Sequence, residues 1–383
     1  MQKILNLTSK PSLTLQIILQ CSVVIFLASF VISPTSKIIN NIFYFIVIPS
    51  VILHYGEISF KDLYSKYKWI FGFLIYFWLS SFWSSDFEIS KTFGEFKNVL
   101  YLSFFILSID LCLQKTSNDN LFKFLLYLSV CISIVIIFNL IYFYTHNPIS
   151  TRMHGLFALG HEIKSVWILG PIAIFMLHYI INNDTDKYSA LFSVLVLPIL
   201  AFIILTQSRG PLIALFVAVG VMLVKKNNYK VYLALGILAL IYLAYYYFIG
   251  HESRGLSFRN DIWMHFINKS LDNLWLGHGI LADKTFSKYG ELFRHPHNVF
   301  LSILFHGGIV GVILFGKIII DMLFTTSKYT ANQVLSCLNI IMIFTLVCFL
   351  TDGSLPIDSS KAVWINFWVP VILIYYFKGN KKA

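Results

Sequence analysis

The chain has little charge. Only 12% of its 383 residues are Asp, Glu, Lys or Arg, against 57% hydrophobic and 17% aromatic. Soluble proteins carry about 25% charged residues, so a soluble globule is excluded. Short segments of alternating polarity are missing too, which excludes an outer-membrane barrel. The five cysteines, Cys21, Cys112, Cys131, Cys337 and Cys348, lie in or beside apolar runs and have no paired spacing. Neither a disulfide frame nor a zinc site follows, and they read as small buried apolar residues. No internal repeat, low-complexity tract or Pro/Gly-rich linker divides the chain. Residues 1–383 therefore read as a single domain.

What is present is apolar runs of roughly 17–25 residues, the length that crosses a bilayer as a helix. Backbone inside such a run must satisfy its own polar groups, so helix is the expected state. The expected fold class is all-α, a polytopic helical membrane protein with about twelve spans. They fall near 12–33, 38–55, 69–83, 93–113, 121–144, 164–181, 189–206, 210–224, 231–249, 298–324, 333–350 and 362–377. The first run is too long for a signal-peptide core and lacks a small-residue cleavage site, so it reads as a retained span.

Lysines orient the spans. One set of loops holds Lys3, Lys10, Lys61, Lys66, Lys68, Lys115, Lys187, Lys225, Lys226, Lys230 and Lys328, and the tail adds Lys378, Lys381 and Lys382. An even span count puts these with both termini on one side, expected to be cytoplasmic. The polar segment 250–297 then forms an external loop carrying a helix. The formal net charge of +11 is thus mostly topological and gives no reason to expect nucleic acid.

Arginine is scarce. The five are Arg152, Arg209, Arg254, Arg259 and Arg294, and each falls in an outward loop or at an outward span end. Lysine suffices to anchor a loop to anionic lipid. The arginine fork grips phosphate in bidentate fashion, so this one-sided placement points to an anionic ligand.

Three outward segments carry the reactive residues. In "TQSRGP", Thr206 to Pro211, Arg209 sits on a sharp turn, with Gly210 permitting the tight backbone and Pro211 opening the next helix. The bland reading of Arg209 is a snorkelling side chain at a helix end. In "HESRGLSFRNDIWMHFINKSLDNLWLGHGI", Ser257 can cap a helix whose Ile262, Trp263, Phe266 and Ile267 rest on the membrane surface. Arg259 falls in its first turn, where N–H groups also face an anion. Asp261 stands ready to pair with Arg259, and the "GHG" around His278 reads as a tight turn. In "FRHPHNVFLSILFHGGIVG", Pro296 can start a span with His297 on its first turn beside Asn298. His295 is set off by Pro296, and His306 reads as a satisfied buried histidine. Gly307 and Gly311 form a small-xxx-small pair for close helix packing. Residues that act on a lipid headgroup belong at helix ends, level with the bilayer boundary.

The ordered set "RMHGLF", "SRG", "FRNDIW", "GHG" and "HNVFLSILFHGGIVG" resembles the O-antigen ligase family of bacterial inner-membrane proteins, which also includes repeat-unit polymerases. The residue-level likeness lies between about 150 and 315, while the span pattern extends throughout. The resemblance implies transfer of a glycan from undecaprenyl pyrophosphate, the donor carrier, to a sugar hydroxyl of lipid A–core, the acceptor, on the periplasmic face. It implies inverting, metal-independent chemistry with no cofactor. It further implies that Arg209 and Arg259 hold the pyrophosphate and that His297 serves the acceptor. Arg152, Arg254, Arg294, His295, Asn298, Asp261 and His278 become candidate substrate-binding residues.

The chemistry is compatible with those roles. Two guanidinium forks stabilise charge on a pyrophosphate leaving group. A neutral histidine accepts the proton of the attacking hydroxyl, with Asp261 as the rival base. No tight Asp/Glu or His cluster suited to a divalent ion is visible outside. Two other readings stand beside the ligase: a polymerase of the same superfamily, and a transporter or flippase for an anionic solute. The transporter reading predicts charged residues lining a path within the spans, for which Asp110, Lys123, Lys317 and Asp321 are the nearest residues.

Overall fold

A computed structural model of the protein describes residues 13–183, 186–226, 258–288, 290–329 and 332–379. Among the described residues, seven helices are long and apolar enough to cross a membrane: Leu13–Ile32, Ile89–Gln114, Asn120–His146, Glu162–Asn182, Lys187–Leu205, Val299–Lys328 and Gln333–Thr351. Two shorter apolar helices, Ser36–Ile52 and Arg209–Val224, fall where further spans are expected. So do Phe60–Leu79 and the pair Trp364–Trp368 and Val369–Gly379. The expected span 231–249, Arg254 and the capping role of Ser257 lie outside the described residues. Among the described residues, strand is confined to the hairpin Phe286–Lys288 and Glu291–Phe293, a small departure from all-α.

The helices are apolar on both faces, as lipid-facing helices are. On the first, Leu19, Val23, Phe26 and Phe30 point inward while Ile17, Ile25 and Ile32 stay exposed. Lipid supplies little hydrophobic drive between helices, so close packing and small polar groups hold them. Ser22 and Ser50 hydroxyls meet at 2.8 Å, and Ser133 donates to the Leu195 carbonyl at 2.9 Å. Phe26, Phe43 and Phe105 surround Trp364, with ring centroids 5.9, 5.2 and 4.6 Å away. Cys21 and Cys131 are exposed rather than buried; Cys337 and Cys348 are buried as expected.

Asp110 and Asp321, two acids within the spans, are paired. Asp110 accepts from Lys66 Nζ at 2.7 Å, Tyr67 hydroxyl at 2.6 Å and Gln114 Nε2 at 2.6 Å. Asp321 pairs with Lys317 at 3.2 Å and Lys378 at 3.4 Å. Buried charges settle in this way when counter-ions and donors satisfy them together. These groups join helix ends instead of lining a path.

The helix Val299–Lys328 breaks at Gly308, where φ is 58° and ψ −160°. A break strands backbone groups that lipid cannot satisfy. The segment Leu274–Gly279 inserts there and replaces them. His278 and Gly279 N–H donate to the carbonyls of Phe305 and His306, both at 2.9 Å. Ile309 and Val310 N–H donate to the carbonyls of Leu274 and Trp275, at 2.8 and 3.2 Å. A Cβ on Gly277 would lie 2.5 Å from Gly307 N, so only glycine fits. Gly307 and Gly311 pack on Phe77, whose Cζ would lie 2.5 and 3.0 Å from an added Cβ at each. This is the close helix approach expected of a small-xxx-small pair.

The helix Arg259–Asp272 does not simply rest on a membrane. Ile262 and Phe266 are buried against Leu301 and Phe305 of the broken helix. Met264, Ile267 and Leu271 remain exposed on its other side. Phe258, in a left-handed conformation with φ 33°, stands at its N-cap without a side-chain cap.

Candidate active site

The reactive residues gather where four chain segments meet at one end of the bundle. The first is the stretch before the broken helix. His297 is not on the first turn, as its place after Pro296 suggests. Asn298 is the cap: its Oδ1 accepts from Leu301 N–H at 3.1 Å and the helix begins at Val299. Asn298 Nδ2 donates to the Leu350 carbonyl at 3.2 Å, so its side chain ties two helices as well as capping one. His297 itself takes φ 51°. That left-handed conformation is costly for a non-glycine residue and is retained where its surroundings impose it. It folds the ring back on His295, with centroids 4.0 Å apart and His297 N–H donating to His295 Nδ1 at 3.2 Å.

The second segment was not legible as a site. Asp352 follows the helix Gln333–Thr351 and takes a hydrogen bond from His297 Nδ1–H to its Oδ1 at 2.7 Å. The carboxylate has no proton to give, so Nδ1 carries the hydrogen and Nε2 is left as the ring's acceptor. Gly353 makes the approach possible. Its φ is 106°, and a Cβ there would lie 2.8 Å from Val299 and 2.9 Å from Trp167. Burial works to raise the Asp352 carboxyl, but the hydrogen bond from His297 and the Gly353 N–H hold it below the usual range. Burial pushes His295 down to about 4.

The third segment is the arginine turn. Its left-handed residue is Gln207, φ 49°, and not Gly210. Gly210 serves close packing instead: a Cβ on it would meet Thr351 Oγ1 at 2.4 Å. Arg209 is thereby held, exposed, one residue from the strand of chain that presents Asp352. Arg152 braces the turn. Its Nε donates to the Thr206 carbonyl at 2.6 Å, Nη2 to Ser208 Oγ at 3.1 Å, and Nη1 faces Glu162 at 3.5 Å.

The fourth is the helix Arg259–Asp272. Trp263 Nε1 donates to the Pro296 carbonyl at 3.1 Å. Arg259 lies one turn earlier on the same helical face, half-buried in the first turn, where free N–H groups also point. Asp261 pairs with Lys288 at 2.7 Å, not with Arg259 as expected. A continuous run of contacts therefore links Arg209, Gly210, Thr351, Asp352, His297, Pro296 and Trp263.

The other expected residues stand apart from this cluster. His278 is built into the helix break. Its Nε2 donates to the Lys269 carbonyl at 2.7 Å, Nδ1 accepts from Asn273 at 3.1 Å, and the ring stacks on Phe305. Arg294 is exposed beyond the hairpin. His306 is buried, its Nδ1–H donating to the Gly279 carbonyl at 2.8 Å, as its position suggested. Contrary to the sequence reading, a compact set of metal-ligand types exists: donor atoms of His295, His297 and Asp352 all lie within 4.8 Å of one another. Asp352 is 55 residues from His297 in the chain, which hid it.

A family model described as O-antigen ligase matches residues 191–316. That stretch holds Arg209, Arg259, His295 and His297 and stops short of Asp352. The chain is also 28% identical over 239 residues to an O-antigen ligase of Pseudomonas aeruginosa, covering 61% of this chain. It spans 58% of that relative's length. Over the segments that build the site, the chain is thus similar to O-antigen ligases.

Proposed function

We propose that the protein transfers a glycan from undecaprenyl pyrophosphate to a sugar hydroxyl of lipid A–core, in one inverting displacement at the periplasmic face of the inner membrane. The observation that carries this reading is the His297–Asp352 pair beside the Arg209 turn. Asp352 orients the ring and keeps Nε2 free to act as base. As the acceptor oxygen bonds to the anomeric carbon, its proton passes to His297 Nε2. The bond from the anomeric carbon to the pyrophosphate oxygen breaks, and the carrier leaves with its electron pair. Negative charge grows on that pyrophosphate, where Arg209 and Arg259 supply forked donors. Protonated His297 is then stabilised by the Asp352 carboxylate. Asp261, already paired with Lys288, is the weaker base. Arg152 acts through the turn it braces. The exposed Met264, Ile267 and Leu271 favour contact of the helix Arg259–Asp272 with lipid.

Lipopolysaccharide from a strain lacking the gene tests the reading. Loss of every O-chain with an intact core is expected. A single repeat unit left on the core would replace the ligase by a polymerase, and unchanged banding would remove both.

A further inference from the structure

The two histidines and the carboxylate at the mouth have a second chemical capacity. Left-handed His297 turns its ring onto His295, and Gly353 turns Asp352 onto His297. Two imidazoles and one carboxylate result, with donor atoms within 4.8 Å of one another. Around one tetrahedral zinc, bonds of about 2.0–2.2 Å put donor atoms roughly 3.3 Å apart, a contraction that side-chain rotation supplies. His297 is one-third exposed, so an ion has access and water can fill a fourth position. Nitrogen-rich sites of this kind suit zinc, nickel or copper, whereas magnesium and calcium seek oxygen.

We propose that His295, His297 and Asp352 form a binding site for a borderline divalent d-block cation, Zn2+ foremost, and that this cation inhibits the enzyme. The inhibitory half rests on the transferase reading above. If the ion takes His297 Nδ1, the proton moves to Nε2 and that atom no longer accepts one. If it takes Nε2, the lone pair itself is used. Either way the base is lost and Asp352 leaves its orienting bond. The ion is an occupant of the resting site and takes no part in transfer.

The full chain, purified in lipid nanodiscs with chelator removed, is titrated with ZnCl2 against a chromophoric competitor, and with CoCl2 for its visible spectrum. One ion per chain is expected, with cobalt bands of an N/O ligand set. His295→Gln and Asp352→Asn should each weaken binding by at least ~10-fold, the lower range for losing even a supporting group at a metal site. His146→Gln, at a separate exposed histidine, should leave it unchanged. MgCl2 should not compete. In parallel, Zn2+ should suppress glycan transfer and EDTA should restore it. Absence of saturable binding, or binding that survives both variants, overturns the site. Binding with unaffected or stimulated transfer overturns the inhibition. If the chain transfers no glycan under any condition the transferase reading fails, while the zinc titration still decides the site.

Discussion

Two charged clusters stand at opposite ends of the bundle, and they differ in kind. At one end Lys66, Tyr67 and Gln114 close around Asp110, and Lys317 and Lys378 around Asp321. Every cation there is lysine. At the other end stand Arg152, Arg209, Arg259, two adjacent histidines and Asp352. The first cluster is saturated: Asp110 has three donors and little exposure. The second reaches the surface, with Arg209 exposed and His297 one-third exposed. It also contains the left-handed His297 and Gln207, while no left-handed non-glycine residue falls in the first cluster among the described residues. Strain in a packed protein persists where surroundings enforce it, and here His297 and Gln207 carry it beside the proposed site.

The sharpest way to break this comparison is at His297. His297→Asn tolerates the left-handed backbone but removes the base, and should cut transfer by about 10²–10⁴ while donor binding persists. His297→Ala should match it. Normal turnover in both, measured with purified protein and carrier-linked glycan, would remove the histidine from the chemistry. Asp352→Asn should lose a comparable factor, because an amide can hold the wrong tautomer.

Next come the arginines. Arg209→Lys and Arg259→Lys should each lose about 10²–10³ in turnover, the usual worth of one positioned donor to a developing anion. Expression and thermal stability should stay near those of the parent. Near-normal turnover would mean that charge alone is needed and that lysine at the two ends is equivalent.

The opposite end should respond in stability and not in chemistry. Lys66→Ala leaves Asp110 buried without its counter-ion and should cost about 3–5 kcal/mol in unfolding. Replacing both, Lys66→Met with Asp110→Leu, should recover most of that loss. Specific activity of the surviving folded fraction should be unchanged. A selective loss of turnover in the double variant would erase the division between anchoring and working ends.

The smallest expected effect is a pH dependence of melting. His295 stays unprotonated down to about pH 4 in the folded chain, because burial lowers its pKa to about 4 from the ordinary 6.5. Between these values the unfolded chain binds a proton that the folded chain refuses, so stability falls as pH drops from 6.5 towards 4. Asp352, whose folded pKa is depressed, adds a further loss as pH falls below its ordinary 3.8 and through its folded value. His295→Gln should flatten the first decline and leave the second. An unchanged slope between pH 6.5 and 4 would show that His295 is not desolvated as its packing indicates.

Helix, in this chain, needed only the sequence. Runs such as 12–33, 121–144 and 333–350 are too apolar to leave a bilayer and too long to be anything but helical inside it, and Leu13–Ile32, Asn118–His146 and Gln333–Thr351 stand there. The gathering of Arg152, Arg209 and Arg259 was also legible, because each flanks an apolar run or opens the polar segment between two. His297 and Arg259 were therefore visible as candidates, and His306 as a buried residue. What the sequence could not supply was partnership across distance. Asp352 reaches His297 only because two helices meet and Gly353 turns between them. Asn298 rather than Pro296 starts the broken helix, since a side-chain acceptor for Leu301 N–H outweighs proline's preset φ. His278 joins the helix break, because opened backbone at Gly308 needs donors that no local pattern announces. Local hydropathy decides which segments enter lipid. Which polar atoms then meet is decided by packing, through side chains whose neighbours are tens of residues away.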